Sequence, residues 1–516
     1  MEESRTKNAI RNVKVGAIVQ TLNKVMIFIV RTVFIKVLNT EYVGVNGLFT
    51  NILMILSFAE LGIGTAIIFN MYKPVAEHDN EKIKSLMQLY KKSYNIIGIA
   101  VFAVGLLIIP FMGIIVKDTP NIKENINFIY VLFLLNTSVS YFFSYKKSII
   151  YAHQKQSIID NINCMFYFFR SILEIAVLIV TKNFVAYLLI EILFTILENL
   201  YISRKSNQMY PFLKEKNIKK LDKSESRGIF SNVKSLFIYK LGGIIMDGTD
   251  NILISSMVSV NTVGLCSNYT MLINAVKTIA IQALNGVTAS IGNLNVVGDK
   301  EQKEKVFYQL TFVNYIVFSF CAIAFILLLN SFIALWIGEQ YVLEIPIVIA
   351  LAVSFWIQGL RTPGYTYRTT LGLFQKAKST PYIGAITNII LSIVFCKLWG
   401  VIGIFIATSI AQLVSYSWID PYLIHKYEFK TPTGKYFKKF AKYIIVFCFS
   451  TIVSLICINP IQMDGILGFI LKAVVACVVP NLINIIIFYR TEEFRELKCK
   501  IVNPIIKKIT GKMTKV

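Results

Sequence analysis

A succession of apolar runs constrains this chain more than any other feature. Each approaches the ~20 residues that a helix needs to cross roughly 30 Å of hydrocarbon. They fall near 14–38, 43–70, 93–116, 126–144, 158–180, 184–203, 230–255, 262–290, 307–330, 345–360, 380–397, 400–423, 443–459 and 465–489. In lipid, backbone polar groups must be satisfied internally, which leaves helices or closed barrels. No run alternates apolar with polar residues as a barrel strand does. The expected fold class is therefore an all-α polytopic membrane protein with about fourteen transmembrane helices. Composition agrees: 55% of residues are apolar and 16% charged, where a soluble surface needs roughly 25%.

The net charge of +24 would suit nucleic acid only if the basic residues shared one folded face. Instead they cluster between apolar runs, at 203–228, at 425–442 and beyond Phe488. That is the pattern of cytoplasmic membrane loops facing anionic lipid, so membrane lipids are expected partners and nucleic acid is not. With a cytoplasmic N-terminus most of the loop lysines and arginines fall on one side. The positive-inside rule then places both termini in the cytoplasm.

Enzyme motifs are missing. There is no HExxH and no Walker loop, and His78, His153 and His425 lack metal spacing. The eight cysteines stand singly and read as small apolar residues. No catalytic residue, metal site or cofactor is expected, and no enzyme activity. Gly62-Ile63-Gly64 lies inside a span, as helix packing or a hinge. Asp79–Lys92 carries Ile83, Leu86, Met87 and Tyr90 on one side and charge on the other. It predicts an amphipathic helix on the cytoplasmic surface, acting as a brace.

The chain also repeats. Sliding Asn12-Val13-Lys14 onto Asn232-Val233-Lys234 brings Val43-Gly44 onto Val263-Gly264 and Leu106–Ile109 onto Ile326–Leu329. The expected plan is an N-terminal six-helix lobe (1–210), a basic cytoplasmic linker (211–228), a C-terminal six-helix lobe (229–427), and helices 13 and 14 with a basic tail (428–516). Six spans per half give both halves the same sense, so the repeat axis runs along the membrane normal with the substrate path between the halves. This is the plan of an alternating-access transporter; no filter loop marks a channel.

Charge inside a span costs about 2.5–3.5 kcal/mol on insertion scales, so each instance asks for a cavity, a partner or snorkelling. Lys24 and Arg31 share one face of span 1, and Lys240, Asp247 and Asp250 share a stripe on span 7. Arg170 in span 5, with Asn274 and Lys277 in span 8, adds to the set, and Glu60 sits in span 2. Each has a plainer alternative: Arg170 and Glu174, four apart, can pair along their own helix. The excess of cations favours an anionic substrate. Lys24, Arg31, Arg170, Lys240, Asn274 and Lys277 are therefore the candidate substrate-binding residues. Glu60, Asp247 and Asp250 are the candidates for coupling or gating.

The run TEYVGVNGLFTNILMILSFAELGIGTAIIFNMYKP (Thr40–Pro74), the run DNILISSMVSVNTVGLCSNYTMLINAV (Asp250–Val276) and LWIGEQY (Leu335–Tyr341) resemble Wzx-type flippases. These belong to the multidrug/oligosaccharidyl-lipid/polysaccharide (MOP) exporter superfamily. The resemblance spans essentially the whole chain. It implies two six-helix lobes plus two helices, an architecture of the MATE and MurJ kind, in a bacterial cytoplasmic (inner) membrane. It also implies a flippase moving an undecaprenyl-diphosphate-linked oligosaccharide repeat unit for capsule, exopolysaccharide or O-antigen synthesis, with a polysaccharide polymerase and export machinery as partners. By the same analogy helices 13 and 14 form a groove for the lipid tail. Arginine can engage a diphosphate bidentately in a low-dielectric cavity. H+ or Na+ coupling through Glu60, Asp247 or Asp250 stays open. The competing reading is a MATE-like ion-coupled efflux antiporter of small molecules.

Overall fold

A computed structural model describes residues 5–60, 63–118, 120–215, 218–219, 221–373, 376–461, 463 and 465–499, with the side chains of some helical residues outside that description. Every regular element among the described residues is helical, and the chain is a multi-pass membrane protein. Eleven helical segments of the described residues are long and apolar enough to cross a membrane. Of the remaining expected spans, 230–255 and 262–290 are helical as well, and the run 43–70 is divided between α-helices Thr40–Leu56 and Ile63–Ala76.

The chain divides into two compact units, Met1–Gly264 and Leu265–Val516. In the first, α1 (Arg5–Val37) and α2 (Thr40–Leu56) are followed by a 3-10 turn (Ser57–Glu60) and α3 (Ile63–Ala76). Then come α4 (Asn80–Leu106), α5 (Ile126–Ser144), the short α6 (Lys147–Ala152), α7 (Gln156–Thr181), α8 (Phe184–Met209) and α9 (Lys223–Met257). Short polar residues start these helices: the side chains of Asn39, Asp79, Asn125 and Asn183 each accept hydrogen bonds from first-turn N–H groups. Each such cap contributes about 1 kcal/mol. Phe34, Tyr42, Phe133, Phe184 and Tyr187 meet edge-on, tilted or stacked and fasten α1, α2, α5 and α8 together.

Two elements depart from the sequence reading. The expected second span, 43–70, is interrupted by the turn at Ser57–Glu60. Glycine at 62 and 64 lowers helix propensity there. The amphipathic stretch 79–92 is no separate surface helix: it forms the first turns of α4, which continues unbroken to Leu106. No proline falls between Asn80 and Leu106 to break the helix. Ile83, Leu86, Met87 and Tyr90 are buried in protein. A brace does exist at this place. Lys82 pairs with Glu225, Lys84 with Glu215 at 2.6 Å, and the Ser85 hydroxyl donates to the Lys219 carbonyl at 2.6 Å, tying the linker to α4.

Inside the first unit α9 packs on α2 and α3. A Cβ on Gly44 would collide with the Val260 carbonyl, and one on Gly264 with the Thr40 carbonyl. The two glycines matched by the repeat thus lie at one close backbone crossing, where any side chain would force the two backbones apart.

Helix α10 (Val260–Val297) runs across the unit boundary. The second unit continues with α11 (Lys300–Trp336), α12 (Ile345–Leu360), α13 (Thr362–Thr370), α14 (Thr380–Trp399), α15 (Val401–Val414), α16 (Tyr416–Ile424), α17 (Gly434–Ile458), α18 (Gly465–Phe488) and α19 (Glu492–Leu497). Two expected spans end later than the sequence suggested: 345–360 extends to Thr370 and 400–423 to Phe429. The last two long helices dock on this unit. Tyr443 of α17 stacks on Tyr315 at 4.4 Å, and Phe447 on Trp356 at 4.3 Å. Asn484 of α18 accepts from the Tyr315 hydroxyl at 3.0 Å. Ile445, Phe449, Ile452, Ile466, Ile470 and Ile486 remain exposed on their outer faces, as lipid-facing residues should.

Candidate functional site

In the first unit the break after α2 positions Glu60. Its carboxylate accepts a hydrogen bond from the Tyr94 hydroxyl, and the Tyr90 hydroxyl donates to Tyr94 at 3.0 Å. Gly64 makes room for this pair, since a Cβ there would stand 2.6 Å from the Tyr90 hydroxyl and 3.1 Å from that of Tyr94. The group opens into a cavity of about 560 Å³ within this unit, whose lining includes Glu60, Asn136, Ser140, Tyr141, Lys147 and Asn199. Lys147 pairs with Glu198 at 3.3 Å. Tyr151, at the cavity's edge between spans, has its hydroxyl pushed up to about 12 by burial and by the carboxylates of Asp160 and Glu198. Among the described lining residues Glu60 is the one carboxylate. This places a tyrosine-bonded carboxylate in a polar cavity. The Ser57–Glu60 turn also touches α9, the helix of Asp247 and Asp250. Asp250 is half-buried, while the side chains of Asp247 and Lys240 lie outside the described residues.

A second polar group in this unit joins α1, α7 and α8. Arg170 lies 3.3 Å from Glu174 and 3.7 Å from Glu191, and packs over the Tyr167 ring at 4.9 Å. Tyr187 sits among them, and Arg31 of α1 is within electrostatic reach of Tyr187. Arg170 and the two glutamates therefore form one network, which Arg31 meets through Tyr187. Arg170 takes the local pairing that its spacing allowed, plus a second carboxylate from α8. Lys24, half-buried on α1, has no ion-pair partner among the described residues.

In the second unit Lys277 donates to the amide oxygen of Gln358, and Asn274, one turn earlier on α10, is exposed. The most deeply buried ion pair here was missed by the sequence reading. Arg368 of α13 is fully buried and donates to Asp420 of α16 at 2.7 Å. Arg361, at the α12–α13 junction, stacks on Tyr416 at 4.4 Å and lies within electrostatic reach of Asp420. The arginines were hidden by ending the tenth span at 360, which assigned them to a cytoplasmic loop. Asp420 was visible as a lone acid inside the run 400–423.

No protein-family model matches the sequence, and no curated protein matches it either. Solved structures do match. "Lipid II flippase MurJ, inward closed conformation" is 14% identical with a TM-score of 0.63, covering 92% of this chain and 98% of that one. An inward-facing MATE multidrug resistance transporter of the MOP superfamily is 14% identical with a TM-score of 0.58, covering 78% of this chain and 93% of that one. A mutant of the Vibrio cholerae MATE transporter VcmN is 13% identical with a TM-score of 0.53, covering 83% of this chain and 99% of that one. At such identities the likeness is one of fold: the chain has the all-helical architecture that the lipid II flippase MurJ and the MATE transporters share.

Proposed function

We propose that this chain is a flippase that carries an undecaprenyl-diphosphate-linked oligosaccharide across the bacterial cytoplasmic membrane by alternating access, with both termini in the cytoplasm. The observation that carries the reading is the extent of the likeness: the lipid II flippase fold covers 92% of the chain against 78% for the inward-facing MATE transporter. The charge pattern supports the same cargo. Lys24 and Arg361 are cations without a carboxylate in ion-pair range among the described residues, as a diphosphate would require. Arg31, Arg170, Lys240, Asn274 and Lys277 are the other proposed contacts, each within its own unit. Glu60, with Asp247 and Asp250, is the proposed coupling group for H+ or Na+. A polymerase and export machinery would act on the product.

The test is surface polymer output in a strain that depends on this chain, with membrane levels of each variant followed by immunoblot. Lys24→Ala and Lys277→Ala should each lower polymer by more than about tenfold at unchanged protein level, the loss of one charge-assisted contact being worth about 1.5–3 kcal/mol. Normal output from both would overturn the cationic-contact reading. A cation-coupled efflux antiporter is the second reading, favoured by the Glu60 cavity and the MATE-like fold; drug resistance on overexpression, without effect on polymer, would decide for it.

A further inference from the structure

The first unit contains a second cavity, of about 300 Å³, between α4 and the turn after α5. The positive-inside reading puts it at the cytoplasmic membrane surface. Lys84, Lys91, Lys92 and Lys146 line it together with Gln88 and Asn95, and among the described residues no carboxylate does. Lys84 is satisfied by Glu81 and Glu215. Lys91 and Lys92 are exposed and have no ion-pair partner among the described residues, and Lys146 donates to the neutral Asn207 amide oxygen, at 2.9 Å. The ammonium of Lys146 is pushed below its ordinary pKa by burial and by the charge of Lys91. The fold therefore holds three unneutralised cations around one hollow, against their mutual repulsion. Met87, Leu213 and Ile218 form an apolar wall beside them.

We propose that this hollow binds a phosphate-bearing anionic headgroup. A phosphate offers several acceptor oxygens to convergent ammonium groups and relieves their repulsion. Basic pockets between helices on the cytoplasmic side suit such headgroups, and the apolar wall gives the first methylenes of a lipid a place to lie. Because Glu215 and Lys219 tie the linker to α4 beside the pocket, occupancy also stabilises the docked linker. The site is separate from Glu60 and from the proposed cargo contacts, so it stands whatever the cargo is.

The test uses the purified full chain in detergent, with native mass spectrometry and thermal melts in the presence of phosphatidylglycerol, phosphatidylcholine or inorganic phosphate. The wild type should retain phosphatidylglycerol over phosphatidylcholine, and Lys91→Gln/Lys92→Gln should weaken that retention roughly tenfold or more. Lys91→Arg/Lys92→Arg should restore it, which separates charge from folding. Lys146→Gln provides a second, single-site variant with the same expected direction. Protection by inorganic phosphate at equal concentration, lost in the glutamine variant, would support the anion site and identify the free ion as its source. Equal retention of the two lipids with no phosphate protection, or retention unchanged in both glutamine variants, would overturn the proposal.

Discussion

In the first unit, Arg170 lies between two carboxylates, Glu174 and Glu191. In the second, Arg361 and Arg368 share Asp420 alone. The geometry differs as well as the count. The Arg368–Asp420 contact is a direct hydrogen bond at 2.7 Å between side chains that are 0% and 1% exposed. The Arg170–Glu174 contact is a 3.3 Å approach in which neither Arg170 Nε nor Glu174 Oε1 makes a hydrogen bond, and Arg170 is 24% exposed. Coulomb attraction and desolvation both grow as water is excluded. The second unit thus holds one tight buried pair beside a further cation, whereas in the first one arginine is shared by two looser carboxylates.

The most direct way to break this comparison is Arg368→Ala. It leaves Asp420 buried beside only the stacked Arg361, and removing one partner of a buried pair costs about 3–5 kcal/mol. The expected result is the largest fall in melting temperature of any single variant here, read by fluorescence-detected thermal melts in detergent. Arg368→Met with Asp420→Leu should recover most of it, because no uncompensated charge remains. A melting temperature for Arg368→Ala equal to that of the wild type would remove the distinction between the two units.

Arg170→Ala is the matching change in the first unit and should be milder, about 1–3 kcal/mol. It leaves Glu174 and Glu191 together without their cation. The comparison sharpens if Arg170→Ala/Glu174→Gln recovers most of the loss, because one carboxylate then remains. A double variant no more stable than Arg170→Ala would mean that the carboxylates do not feel each other.

How much of this was legible in the sequence follows from the range of the signals. Spanning helices are written in local apolar runs, and the fourteen runs anticipated the helices of the structure. The break at Glu60 was half-visible, as Gly62 and Gly64 in a span, but the tyrosines that face it come from α4, the helix after next. Arg170 and Glu174 were legible through their four-residue spacing, whereas Glu191 was not, because it arrives on the next helix. Arg368 stayed hidden because a helix that bends at Leu360–Thr362 and carries on looks, by hydropathy, like a helix that ends. The same weakness placed Asp79–Lys92 on the membrane surface, since an amphipathic face does not say whether protein or headgroups will cover it.

Glu174→Gln should have the smallest effect of these changes, and for that reason it discriminates best between distance and bonding. Glu174 is 1% exposed and 3.3 Å from an arginine, and on distance alone its neutralisation resembles the loss of a buried ion pair. Its Oε1 makes no hydrogen bond, however, and Glu191 still faces Arg170 at 3.7 Å. Replacing a desolvated carboxylate by an amide of the same shape removes a costly buried charge together with a poorly aligned attraction, and the two changes largely cancel. The expected shift in stability is within about 1 kcal/mol of zero, with Glu191→Gln alone equally mild and the double variant distinctly worse, because Arg170 then has no carboxylate left. Thermal melts of the two singles and the double form a mutant cycle. A large loss from Glu174→Gln alone would mean that this pair is as tightly coupled as Arg368 and Asp420, and the contrast between the two units would then rest on charge count alone.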